Sequence, residues 1–160
     1  MTVEQILPFL TLLLGFVLSF VAEMYRKGQD RKHAISDGLR NERATSYRAF
    51  LKAAHDTATR LGWATAGHPQ HVDGQEREVA IQATDKDVVP RLLELEILAS
   101  EATLKNAREM REGLRDMRDK IVTANVVYRS DEYKTIYKRY QDARAAFLVS
   151  ARDDIVAVPS

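Results

Sequence analysis

The chain has no cysteine among its 160 residues. That excludes disulfide staples, thiolate nucleophiles and cysteine-ligated zinc. It also lacks a Walker-type glycine loop, a Gly-x-Ser-x-Gly elbow and a His-Glu-x-x-His pair, so the commonest phosphate-binding, acyl-transfer and zinc-hydrolase signatures are missing. No arginine is followed by histidine five positions later, which removes the Arg-x4-His signature of small helical ribonucleases. No cofactor, metal or small-molecule substrate is expected, and the reading is non-enzymatic.

Charge of one sign is scarce overall, with a net charge of +1, but it is unevenly spread. Residues 25–60 carry nine Lys or Arg against four Asp or Glu, whereas residues 61–160 carry fifteen against seventeen. The one long uncharged run is Ile6 to Ala22, ILPFLTLLLGFVLSFVA. At helical rise it spans about 26 Å, close to the hydrocarbon thickness of a bilayer. A cleaved signal peptide would carry Lys or Arg before the apolar stretch and small residues at its end, and the leader Met1-Thr2-Val3-Glu4-Gln5 has neither cation. The alternative is a buried helix of a soluble domain, because seventeen residues is the lower limit for spanning.

Residues 1–25 are therefore read as an N-terminal transmembrane anchor. Arg26, Lys27, Arg31 and Lys32 follow it, and only Glu4 precedes it. This asymmetry predicts an external N-terminus and a cytoplasmic C-terminal domain at the cell membrane. Residues 26–43 form a basic juxtamembrane segment suited to anionic headgroups, His33 included. Inside the run Thr11, Gly15, Ser19 and Glu23 recur every four residues. Small or polar groups on one helix face allow close backbone approach in lipid, which predicts a packing face and a homo-oligomer. Glu23 either faces a polar cavity or sits in the headgroup layer beside Arg26 and Lys27.

The remainder reads as helix: the predicted fold is all-α, a single transmembrane helix followed by a long-helix bundle over residues 44–155, with a loop at 62–75 and a tail at 156–160. Ala44, Tyr47, Leu51, Ala54, Ala58 and Leu61 alternate spacings of three and four, a packing stripe. Glycines and a proline between Gly62 and Gly74 mark the loop. A short helix is expected over 76–84. Asp85 or Asp87 then caps a long helix that tolerates Pro90 in its first turn and runs to about Tyr128. Ser130 or Asp131 caps a last helix ending near Asp154.

Within the long helix Ala107, Met110, Leu114, Met117, Ile121 and Ala124 make a seam at heptad spacing. Arg108, Arg111, Arg115 and Arg118 flank it, and intrahelical pairs Arg108–Glu112, Arg115–Asp119 and Asp116–Lys120 are expected. The seam either closes a bundle within one chain or forms an oligomeric coiled coil. Nucleic acid is not an expected partner, because the arginines have acidic neighbours and no interleaved aromatics. His68, His71 and Asp73 offer His-x-x-His-x-Asp, ligand types for a divalent cation or simply polar residues of an exposed turn. His55, beside Asp56, is expected to face solvent.

Tyr47-Arg48-Ala49-Phe50-Leu51-Lys52-Ala53-Ala54, Tyr140-Gln141-Asp142-Ala143-Arg144-Ala145-Ala146-Phe147 and Ala151-Arg152-Asp153-Asp154-Ile155 resemble a pattern of small uncharacterised bacterial single-pass membrane proteins with a helical cytoplasmic domain. The layout is also similar to that of membrane-anchored accessory proteins of antiviral systems. The resemblance implies a bundle that self-associates or docks a protein partner at the membrane; the alternative is an oligomeric channel-forming or membrane-perturbing effector.

Overall fold

Apolar positions from five helices close one core in the computed structural model, which describes residues 37–124 and 126–157. Helix α1 covers residues 37–63, α2 Gly74–Ala83, α3 Val89–Leu98, α4 Glu101–Thr123 and α5 Asp131–Val156. A π-helical turn, Thr84–Val88, joins α2 to α3. The described residues are all-helical, apart from a single parallel bridge between Ala66 and Val127. None of their helices is long and apolar enough to cross a membrane, and the predicted span at 6–22 lies outside the described residues.

α1 buries Tyr47, Phe50, Ala54, Thr57, Ala58 and Leu61. Phe50 takes the place expected of Leu51, which is only partly buried, as is Ala44. The choice follows from α5: Phe147 presents its ring to both Tyr47 and Phe50, at centroid distances of 5.9 and 5.2 Å. Ring pairs of this kind add roughly 0.5–1.5 kcal/mol to the burial of area. Helices α4 and α5 meet at Gly113, where an added Cβ would stand 3.1 Å from Tyr140 Cα. Ala107, Met110, Leu114, Met117 and Ile121 are buried inside this single chain, whereas Ala124 is exposed at the end of α4.

The long helix expected from Asp85 to Tyr128 is three pieces. Neither Asp85 nor Asp87 caps a helix; both lie in the π turn. That turn aims the two carboxylates in different directions, Asp85 to Arg118 at 2.6 Å and Asp87 to Arg60 of α1 at 2.8 Å. α3 then stops at Ala99, whose backbone is extended, and Ser100 starts α4 as its N-cap, accepting from Thr103 N at 3.3 Å. The sequence at the break, Leu98-Ala99-Ser100, holds no glycine or proline to mark it. Ser130 caps α5 through Tyr133 N at 3.1 Å.

Ends shift too. α1 extends through 63, so the loop is shorter than 62–75, and the short helix begins at Gly74 and ends at Ala83. Of the three expected intrahelical pairs, Arg115–Asp119 forms at 3.9 Å. Arg108 reaches instead to Glu96 of α3, Lys120 to Glu132 of α5, and Asp116 pairs with Arg139 of α5. These pairs tie neighbouring helices together, but their exposure limits each to about 0–1 kcal/mol.

At the far end of α1 a buried carboxylate gathers three elements. Asp154 of α5 accepts from Tyr47 Oη at 2.7 Å and from Ser100 N at 2.9 Å, and its backbone carbonyl accepts from Arg43 at 3.1 Å. Burial pushes the carboxyl up, and the hydrogen bonds from Ser100 and Tyr47 outweigh it, leaving Asp154 below the usual carboxylate range. The same contact raises the Tyr47 phenol, through burial first and the carboxylate second.

Candidate docking surface

The loop histidines point to different tasks. His71 sets Nδ1 3.2 Å from the carbonyl of Trp63 and 3.1 Å from that of Thr65, while Nε2 lies 3.2 Å from Asp73. Two carbonyl acceptors at Nδ1 call for a hydrogen on that nitrogen. Arg77 works beside it, donating from Nε to Ala64 and from Nη2 to Ile121, each at 3.3 Å. The last carbonyls of a helix have no intrahelical donor, so His71 and Arg77 satisfy the C-terminal ends of α1 and α4.

His68 turns away from this cap. Its ring stands edge-on to Tyr128 at 4.3 Å, and its Nδ1 accepts from Gln70 N. Burial, followed by the positive charge of Arg129, lowers its pKa. Among the described residues no group of His, Asp and Glu converges as a metal site. The pattern His-x-x-His-x-Asp, read as possible ligands, thus resolves into a helix cap and a ring contact. Tyr128 begins an aromatic run through Tyr133 and Tyr137 to Tyr140, with centroids 5.1, 5.8 and 6.0 Å apart. Burial pushes Tyr133 and Tyr140 up to about 12, so both remain neutral phenols that pack the start of α5.

α3 has a different character. Its inner side buries Leu92 and Leu95, continuing from Val88, yet its outer side is also apolar: Leu93 is 55% exposed and Ile97 86% exposed, with Pro90 exposed one turn earlier. At 3.6 residues per turn these three fall within about 60° of arc. Polar groups are confined to the flanks, where Arg91 pairs with Glu94 at 2.6 Å and Glu96 with Arg108 at 2.9 Å. A helix apolar on both sides normally lies between two layers, and among the described residues one layer is present here. The Arg91 flank opens into a polar groove of about 520 Å³ shared with Ala49, Lys52, Asp56 and Arg60 of α1. A separate apolar cleft of about 370 Å³ lies between Trp63, Val72, Val79 and Ala80.

Leu93 and Ile97 are not among the sequence candidates, because a single helix over 85–128 has its clearest stripe in the seam beginning at Ala107. The signal was present in the density of apolar residues from Val88 to Leu98, too high for a helix with one buried face. The seam residues Ala107, Met110, Leu114, Met117 and Ile121 face inward and are spent on the chain's own core. Thr11, Gly15, Ser19, Glu23, Arg26, Lys27, Arg31 and Lys32 lie outside the described residues. No family model matches the chain, and no curated protein or solved structure does either.

Proposed function

We propose that this chain is a membrane-tethered helical bundle that acts by protein contact, with α3 as its docking face. The observation that carries the reading is the outward apolar side of α3. Covering a large aliphatic side chain fully is worth about 1.5–3 kcal/mol, so leaving Leu93 and Ile97 in water forgoes stabilisation that a partner surface recovers. The tether is carried by the uncharged run at 6–22 and the cations that follow it. It holds α3 in a thin layer above the bilayer, where even a weak contact is multiplied by local concentration.

The test uses the full chain in cells. The protein should resist alkaline extraction from membranes, and a reporter fused after Ser160 should be active as a cytoplasmic probe. Ile97→Arg should leave both results and the thermal melt unchanged while lowering recovery of crosslinked complexes. Extraction into the soluble fraction refutes the tether; undiminished complexes with Ile97→Arg refute α3 as the docking face.

A further inference from the structure

We infer that the partner of α3 is α3 of a second copy, packed antiparallel about a two-fold axis at Leu93. This deepens the proposed function and rests on its membrane tether. The argument begins with the flank that carries Arg91 and Glu94. When two antiparallel helices are related by a two-fold axis, each flank meets the same flank of its partner with direction reversed. With Leu93 opposite Leu93 of the second copy, Glu94 of each chain stands level with Arg91 of the other, within reach of an extended guanidinium that already turns toward the Glu94 side of its own helix. The set is self-complementary, and both members are already near each other in one chain.

Exchange costs little. The Arg91–Glu94 pair is roughly half exposed on both sides, at 47% and 45%, so trading an intrachain partner for an interchain one gives up a weak contact. In the same register Ile97 falls opposite Val89, and Pro90 lies a turn from the axis, which keeps the apolar residues in the centre. Glu96 lies on the other flank, beside Arg108 of its own chain. A parallel pairing would instead bring the Glu94 flank of one chain against the Glu96 flank of the other, setting carboxylate beside carboxylate. The area offered by a ten-residue helix is well below the roughly 800 Å² per partner of a stable interface. The pair is therefore one of tethered copies, formed at membrane density and lost on dilution.

The chain's lack of cysteine makes the test clean. Leu93→Cys in the full-length protein, treated in native membranes with a short bifunctional maleimide, should yield a dimer. Ile97→Cys should yield far less, because the two positions lie about 12 Å apart along the helices in this register. Adding Arg91→Glu or Glu94→Arg to Leu93→Cys should lower the dimer about fivefold or more, since each change acts at two symmetric contacts. Coexpressing those two charge variants should restore it, as a mixed dimer pairs unlike charges at both contacts.

Equal crosslinking through Ile97→Cys, or indifference to the charge changes, overturns the antiparallel pairing. If Leu93→Cys gives no dimer while a lysine-reactive reagent still links wild-type copies, self-association uses another surface and only this inference fails. If that reagent also finds only monomers while a different protein is captured through α3, the docking reading stands without the homodimer.

Discussion

Gly113→Ala sets two well-characterised effects against each other. In a helix interior alanine is favoured over glycine by about 1 kcal/mol, so on propensity alone the change stabilises α4. The new Cβ, however, would lie 3.1 Å from Tyr140 Cα, 3.4 Å from its N and 3.5 Å from its Cβ. Carbon atoms prefer about 3.5–4.0 Å, so α5 must retreat by a few tenths of an ångström. What it meets is backbone, which cannot rotate aside as a flexible side chain does, and the ring on that backbone is fully buried.

Moving α5 loosens its packing over α4, and overpacking of this kind costs roughly 1–3 kcal/mol. The expected net is a loss of about 1 kcal/mol, or roughly 3 °C in melting temperature for a chain of this length. Gly38→Ala is the control: nothing lies within 4 Å of its added Cβ, so its melt should match or exceed the wild type. Far-UV circular dichroism melts of the three proteins decide the matter. A Gly113→Ala protein that melts above the wild type refutes the close crossing of α4 and α5.

Tyr47→Phe removes the 2.7 Å donor to Asp154 and leaves a buried carboxylate with fewer partners, which should cost about 1–3 kcal/mol in denaturant titration. Asp154 is held below the usual carboxylate range, so the unfolded chain takes up its proton first on acidification. Its contribution is full above about pH 4 and is lost as pH falls through the lower folded value. Asp154→Asn should flatten that part of the stability profile; an unchanged acid limb would exclude the assignment. Ser100→Ala removes the side-chain cap of α4 and should lower stability by about 1 kcal/mol, measured by the same titration.

How much of this was legible depended on the range over which each signal acts. The helix start at Ser130 or Asp131, the interruption between Gly62 and Gly74 and the apolar seam from Ala107 to Ile121 are written in neighbouring residues, and in the structure Ser130 is the cap. The break at Ser100 is not written there, because Leu98-Ala99-Ser100 contains no helix breaker. What holds it is Asp154, which accepts the Ser100 N–H from 54 positions away. The π turn has the same origin: its carboxylates answer to Arg60 and Arg118 on other helices. Phe50 rather than Leu51 faces the core because Phe147 is there. For the loop, the residue types at 68, 71 and 73 fit either cation ligands or an exposed turn, and neither reading shows that the carbonyls at the end of α1 engage His71. The outward side of α3 lies outside the seam pattern, because Leu93 and Ile97 lie on a separate helix from the seam of α4.

The pairing of α1 with α5 also sets an order of events during synthesis. Tyr47 and Phe50 are made early, yet the ring and the carboxylate that cover them, Phe147 and Asp154, are about a hundred residues later. At translation rates of 5–20 residues per second, the apolar face of α1 waits roughly 5–20 s for its cover. Until Phe147 emerges, that face lacks the two ring contacts it has in the folded chain. A stop codon before Phe147 would leave that face without them.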